Sequence, residues 1–174
     1  MFSQTIITTF QDYLTLCKPK VVLLMLITTW VGMQLAPNDI TLTGFIYGSL
    51  GIGFCAGSAA VINHLLDQKI DAIMTRTAIR PIASGRIQPQ HAIAFSLLLC
   101  LLGLWILIGF VNHLTAVLTF LSLVGYAIFY TAFLKRATPQ NIVIGGLAGA
   151  MPPILGWTAI TGDLSPYALL LALI

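Results

Sequence analysis

Charge is what this sequence has least of. Only 7% of its 174 residues are charged, as eight Lys/Arg and five acids, all of them aspartate. A water-soluble domain carries about 25%. Together with 58% hydrophobic residues and a mean hydropathy of +0.97, this scarcity excludes a soluble globular domain and indicates an integral membrane protein. The net charge of +3 is no nucleic-acid signal, because in a membrane protein the position of each charge matters more than the sum. No nucleic acid is expected as a partner. Cysteine is scarce as well. Cys17, Cys55 and Cys100 lie in or beside apolar runs, without a CxxC or a Cys/His cluster. That excludes a disulfide framework and a zinc site and leaves small apolar residues.

What is present is a series of apolar runs separated by short breaks. The first seventeen residues place Ile6, Phe10, Tyr13 and Leu14 at helical spacing, which predicts an amphipathic surface helix. Complete spans are expected over Val21–Ala36, Leu42–Leu66, His91–Val111, Leu114–Leu134 and Ile142–Ile160. The second is rich in Gly, Ala and Ser, which let helix backbones approach closely in lipid, so it is expected inside the bundle. The fifth contains the GxxxG pair Gly145 and Gly149, and Pro152-Pro153, which is expected to kink or break the helix. A sixth run, Leu164–Ile174, is too short to cross about 30 Å of hydrocarbon. The expected fold class is therefore all-α: a polytopic transmembrane helix bundle of five complete spans and the start of a sixth, the N-terminal part of a longer protein.

All eight basic residues fall in three places: Lys18 and Lys20, Lys69 to Arg86, and Lys135-Arg136. Five-span alternation puts the three on one side, and the positive-inside rule makes that side, with the N-terminus, cytoplasmic. In a bacterial cell this is the inner membrane.

On the same side lies the densest polar stretch of the chain, Val61 to Gly85. Asn63, Asp67 and Asp71 are spaced i, i+4, i+8, within about 80° of helix surface and roughly 12 Å of axis. Three roles compete for them. A structural one pairs the acids with Lys69, Arg76 or Arg80 to hold the loop, contributing roughly 0–1 kcal/mol per exposed pair. A catalytic one holds Mg²⁺ through carboxylate and amide oxygens, while Arg76 and Arg80 grip phosphate oxygens. Metal and cations together would then promote the departure of a diphosphate, and an amphipathic polyprenyl diphosphate would suit a site at the membrane surface. A transporter with a cation site is the third, disfavoured by the position of the acids at the rim and by the absence of an obvious internal repeat.

The stretch NHLLDQKIDAIMTRTAIRPIASGRI resembles the first acidic motif of the UbiA-type intramembrane prenyltransferases, Asn-x-x-x-Asp-x-x-x-Asp followed by Arg-Thr-x-x-Arg-Pro. LCKPKVVLLML and FLKRATPQNIVIGGLAGAMPPILGW are similar to the family's first-helix start and fourth-to-fifth helix junction, in the branch that farnesylates protohaem IX. The likeness extends over nearly the whole chain. It implies nine helices and transfer of a farnesyl group from farnesyl diphosphate to a vinyl group of haem b, giving haem O for terminal oxidases. Transfer to an aromatic quinone precursor is the alternative. By match of position, Asn63, Asp67 and Asp71 would hold Mg²⁺ and diphosphate, and Arg76, Arg80, Lys135 and Arg136 would contact diphosphate. His64 and Tyr130 are candidates for the cavity wall. For His64, His91 and His113 alike, a helix-end polar role is the plainer expectation. His64 stands where many relatives have another acid. Partners implied are the bilayer and proteins of the haem pathway or of terminal-oxidase assembly. The family's second acidic motif follows its sixth helix and has no counterpart here. The 174-residue chain alone is therefore expected to be inactive, and farnesyl transfer to haem by the purified chain would refute that.

Overall fold

The computed structural model describes residues 2–127, 141–171 and 173. Seven helices follow in order: α1 Phe2–Leu16, α2 Pro19–Leu35, α3 Leu42–Ile73, α4 Pro89–Phe110, α5 His113–Val124, α6 Asn141–Thr161 and α7 Pro166–Leu170. Among the described residues there is no strand. The helix starts follow local chemistry. Pro19 and Pro89 occupy the first turns of α2 and α4, where a missing N–H costs nothing. Thr41, Asn112 and Ser165 cap α3, α5 and α7 by accepting backbone N–H groups.

α3 is the central element. It touches α1, α2, α4, α5 and α6. Its small residues do what the sequence predicts: Gly48, Gly51, Gly57, Ser58, Ala59 and Ala60 are all buried. A methyl at Gly51 or Gly103 would strike the facing helix, so α3 and α4 cross nearly backbone to backbone. Ser58 Oγ donates to the Ser96 carbonyl across this crossing at 2.8 Å. α2 and α6 form the other tight pair. There a Cβ at Gly32 would overlap the Pro153 carbonyl, and one at Gly156 would overlap the Thr29 carbonyl. The outer faces expose Val31, Leu97, Leu101 and Trp105, the apolar surface of a bundle that faces lipid.

α3 and α4 are each long and apolar enough to cross a membrane, and Thr9–Leu16 with Pro19–Leu35 form a bent pair, 45° apart, that passes the same test together. α3 continues past the expected span to Ile73, with no Gly or Pro after Leu66 to interrupt it. α6 continues through Pro152 and Pro153 instead of breaking; its neighbour α2 lies against these turns, with Pro152 fully buried. The expected fourth span, Leu114–Leu134, runs beyond the described residues, as do Tyr130, Lys135 and Arg136.

Candidate functional site

The extension of α3 puts the polar motif on a continuous helix. Asn63, Asp67 and Asp71 are 5, 4 and 4% exposed, so the face shared by i, i+4 and i+8 points inward. Two cations reach it. Arg80 Nη1 donates to Asp71 Oδ2 at 2.6 Å, with Asp71 nearly buried and Arg80 half-buried. This is the pairing expected of the structural role. Lys18 Nζ donates to Asn63 Oδ1 at 2.5 Å, a contact that sequence reasoning missed. In the sequence Lys18 reads only as a charge flanking the first span, and its partner lies 45 positions away.

Local backbone explains how Lys18 arrives there. It joins α1 to α2 at φ 50, ψ 61, in the left-handed region. The following Pro19 disfavours the ordinary helical conformation. A non-glycine residue held this way stores about 1–3 kcal/mol. The loop after α3 is packed under the motif. Thr77 Oγ1 donates to the Asp71 carbonyl at 3.1 Å. Ile82 and Ile87 bury themselves with Leu16, Val61, Ala92 and Leu99. Arg86 Nε donates to both Asp12 oxygens, at 3.0 and 3.2 Å, tying the loop to α1. Arg76 and Lys69 are exposed.

His64 departs from the helix-end role expected of it. It is 3% exposed, and neither ring nitrogen has a hydrogen-bond partner. It lies within electrostatic influence of Lys18, Arg80, Asp71 and Asp67, beside the motif. His91 and His113 are exposed helix-start residues. Trp30 and Trp157 serve packing: Trp30 Nε1 donates to Ser49 Oγ at 2.8 Å, and Trp157 is buried.

From Lys18 a cavity of about 360 Å³ runs between α2, α3, α5 and α6. Ala56, Ala59 and Ala60 line it on α3, and Tyr126 on the continuation of α5. Ile52, Thr119 and Leu155 line its far end. The arrangement is therefore a buried polar face, two cations and an apolar chamber that share Lys18. Among the described residues no three His, Cys, Asp or Glu side chains cluster as a complete metal centre. Asn63, Asp67 and Asp71 supply oxygen donors alone, which fit a hard cation that completes its shell with water and phosphate.

The model of the UbiA prenyltransferase family matches residues 25–174. The chain is 60% identical over 166 residues to the protohaem IX farnesyltransferase of Teredinibacter turnerae, covering 95% of this chain and 53% of that protein. It is 61% identical over 166 residues to the protein of the same name from Legionella pneumophila strain Paris, covering 95% and 56%. The chain thus spans about half the length of these relatives. Among solved structures, a digeranylgeranylglyceryl phosphate synthase superposes with a TM-score of 0.82 at 24% identity, over 94% of this chain and 57% of that one. A UbiA homologue from Archaeoglobus fulgidus bound to GPP and Mg²⁺ superposes with 0.72 at 19% identity, over 92% and 58%. At these identities the likeness is one of fold.

Proposed function

The chain belongs to the UbiA prenyltransferase family, and on that premise we propose that it forms the first half of a protohaem IX farnesyltransferase. The reaction moves the farnesyl group of farnesyl diphosphate to a vinyl group of haem b. The C1–O bond to diphosphate breaks, and C1 bonds to the terminal vinyl carbon. Water adds to the other vinyl carbon and loses a proton, which gives the hydroxyethylfarnesyl group of haem O. The observation that carries this proposal is the buried Asn63, Asp67 and Asp71 face joined through Lys18 to an apolar chamber.

Each part has a role in that chemistry. Asn63, Asp67 and Asp71 would hold Mg²⁺, which when bound neutralises diphosphate charge. Lys18 and Arg80 stand over the same face. Arg80 uses Nη1 on Asp71 and has four further N–H donors for phosphate oxygens. Arg76 and, by match of position with the family, Lys135 and Arg136 would add cationic contacts to diphosphate. Positive charge gathered here stabilises the departing diphosphate. The apolar chamber takes the prenyl chain and keeps water from it, with Tyr126 on its wall. The site opens on the cytoplasmic side of the inner membrane, where the basic residues gather.

The test joins this chain to the C-terminal part of the Legionella relative and supplies membranes with farnesyl diphosphate, Mg²⁺ and either haem b or 4-hydroxybenzoate. Mass spectrometry should show farnesylated, hydrated haem. Prenylated benzoate alone would move the assignment to quinone precursors. Ion flux without prenyl transfer would overturn it.

A further inference from the structure

The far end of the chamber has two properties that bear on which prenyl chain it accepts. The first is a packed floor. Ile52 and Leu155 are 2 and 4% exposed, and they pack against the buried Leu107 and Ala116.

The second is an orphan hydroxyl. Thr119 is 3% exposed and lines the chamber, and its Oγ1 has no hydrogen-bond partner. Every other buried serine or threonine among the described residues has one. Thr29, Thr77, Ser96 and Thr158 donate to carbonyls on their own helices or turns. Ser58 donates to the Ser96 carbonyl on α4, and Thr115 to Thr158. A buried hydroxyl without a partner costs about 1–3 kcal/mol. Thr119 is therefore turned toward space that protein atoms do not fill.

The depth of that space can be read along α3. Ile52 lies eleven positions before Asn63, roughly 16 Å at 1.5 Å per residue. An extended isoprene unit of four carbon–carbon bonds spans about 5 Å. Three units fill the distance from the polar face to the floor. Two leave a void, and four run into Leu107 and Ala116.

We propose that Ile52, Thr119 and Leu155 form a floor that limits the prenyl chain to three isoprene units. This rests on the assignment of the chamber to the prenyl chain, and it adds which residues set the length.

The test measures binding of geranyl, farnesyl and geranylgeranyl diphosphate, with Mg²⁺, to the chain joined to the C-terminal part of the Legionella relative, in lipid nanodiscs. Affinity ratios are compared, because a ratio is insensitive to an inactive fraction. The unaltered chain should prefer farnesyl. Thr119→Met raises the floor and should shift the geranyl-to-farnesyl ratio about tenfold toward geranyl, the scale of a methylene-sized change in an apolar pocket. Ile52→Ala lowers it and should shift the geranylgeranyl-to-farnesyl ratio about as far the other way. Thr119→Val keeps the volume and removes the hydroxyl, and should leave both ratios unchanged. The two size variants act in opposite directions, so a fold defect in one leaves the other decisive. Unchanged ratios in the size variants, or a shift in Thr119→Val equal to that in Thr119→Met, would overturn the floor. Failure of the unaltered chain to bind any of the three would instead overturn the assignment of the chamber.

Discussion

Replacing Arg80 by alanine separates the structural and the catalytic uses of the Arg80–Asp71 pair. Removing one partner of a fully buried pair costs about 3–5 kcal/mol, because a charge is left without compensation. An exposed pair is worth roughly 0–1 kcal/mol. Here the Asp71 side chain is 6% exposed and that of Arg80 28%, so Arg80→Ala is expected to cost about 2 kcal/mol, between the two limits. Asp71→Asn should cost less, about 1 kcal/mol, because the better exposed guanidinium can turn to water. The double variant leaves no charge buried and should recover most of the loss. Stability would be followed by helical circular dichroism during SDS titration in mixed micelles. Diphosphate binding, measured by calorimetry with Mg²⁺, should be weakened in all three variants, whatever their stability. If Arg80→Ala unfolds like the unaltered chain, or the double variant is as unstable as the single, the pair does not hold the loop. If binding recovers along with stability, Arg80 has no role in diphosphate recognition.

Further outcomes follow at Lys18, Asp67, Gly156 and Gly149. Lys18→Met should weaken Mg²⁺–diphosphate binding about tenfold, roughly 1.4 kcal/mol, with partial recovery in Lys18→Arg; equal affinity in the methionine variant would remove Lys18 from the site. Asp67→Asn should abolish Mg²⁺-dependent diphosphate release by the fusion with the Legionella segment, and a change in ion flux alone would favour a transporter. Gly156→Ala forces a methyl into the Thr29 carbonyl and should cost about 1–3 kcal/mol. Gly149→Ala, with open space around it, should stay within about 0.5 kcal/mol of the unaltered chain in the same SDS titration.

The residues that sequence made legible are those whose meaning is periodic. Asn63, Asp67 and Asp71 announce a shared face because α-helical geometry is fixed, and the burial of all three agrees with it. The small residues of α3 likewise place it at the centre. What periodicity does not contain is the partner. Lys18 reads as a flanking charge until a left-handed turn before Pro19 carries it to Asn63. The GxxxG spacing drew attention to Gly145 and Gly149, yet Gly149 faces open space while Gly32 and Gly156 make the backbone contact. That contact depends on how two distant helices cross, which no local spacing records. His64 was hidden for a similar reason: its burial comes from elements around α3, not from its own neighbours in sequence.

The crossing of α2 and α6 also has a consequence for biosynthesis. Thr29 and Gly32 leave the ribosome more than a hundred residues before Pro153 and Gly156. At 5–20 residues per second the interval is on the order of ten seconds. α3 and α4 follow each other closely in the chain and can pair within it. During the wait, the face of α2 that will receive α6 has no occupant, and its glycine leaves main-chain atoms uncovered. The order of synthesis therefore leaves α2 without its main neighbour until α6 arrives, although α3 and α4 are already in place.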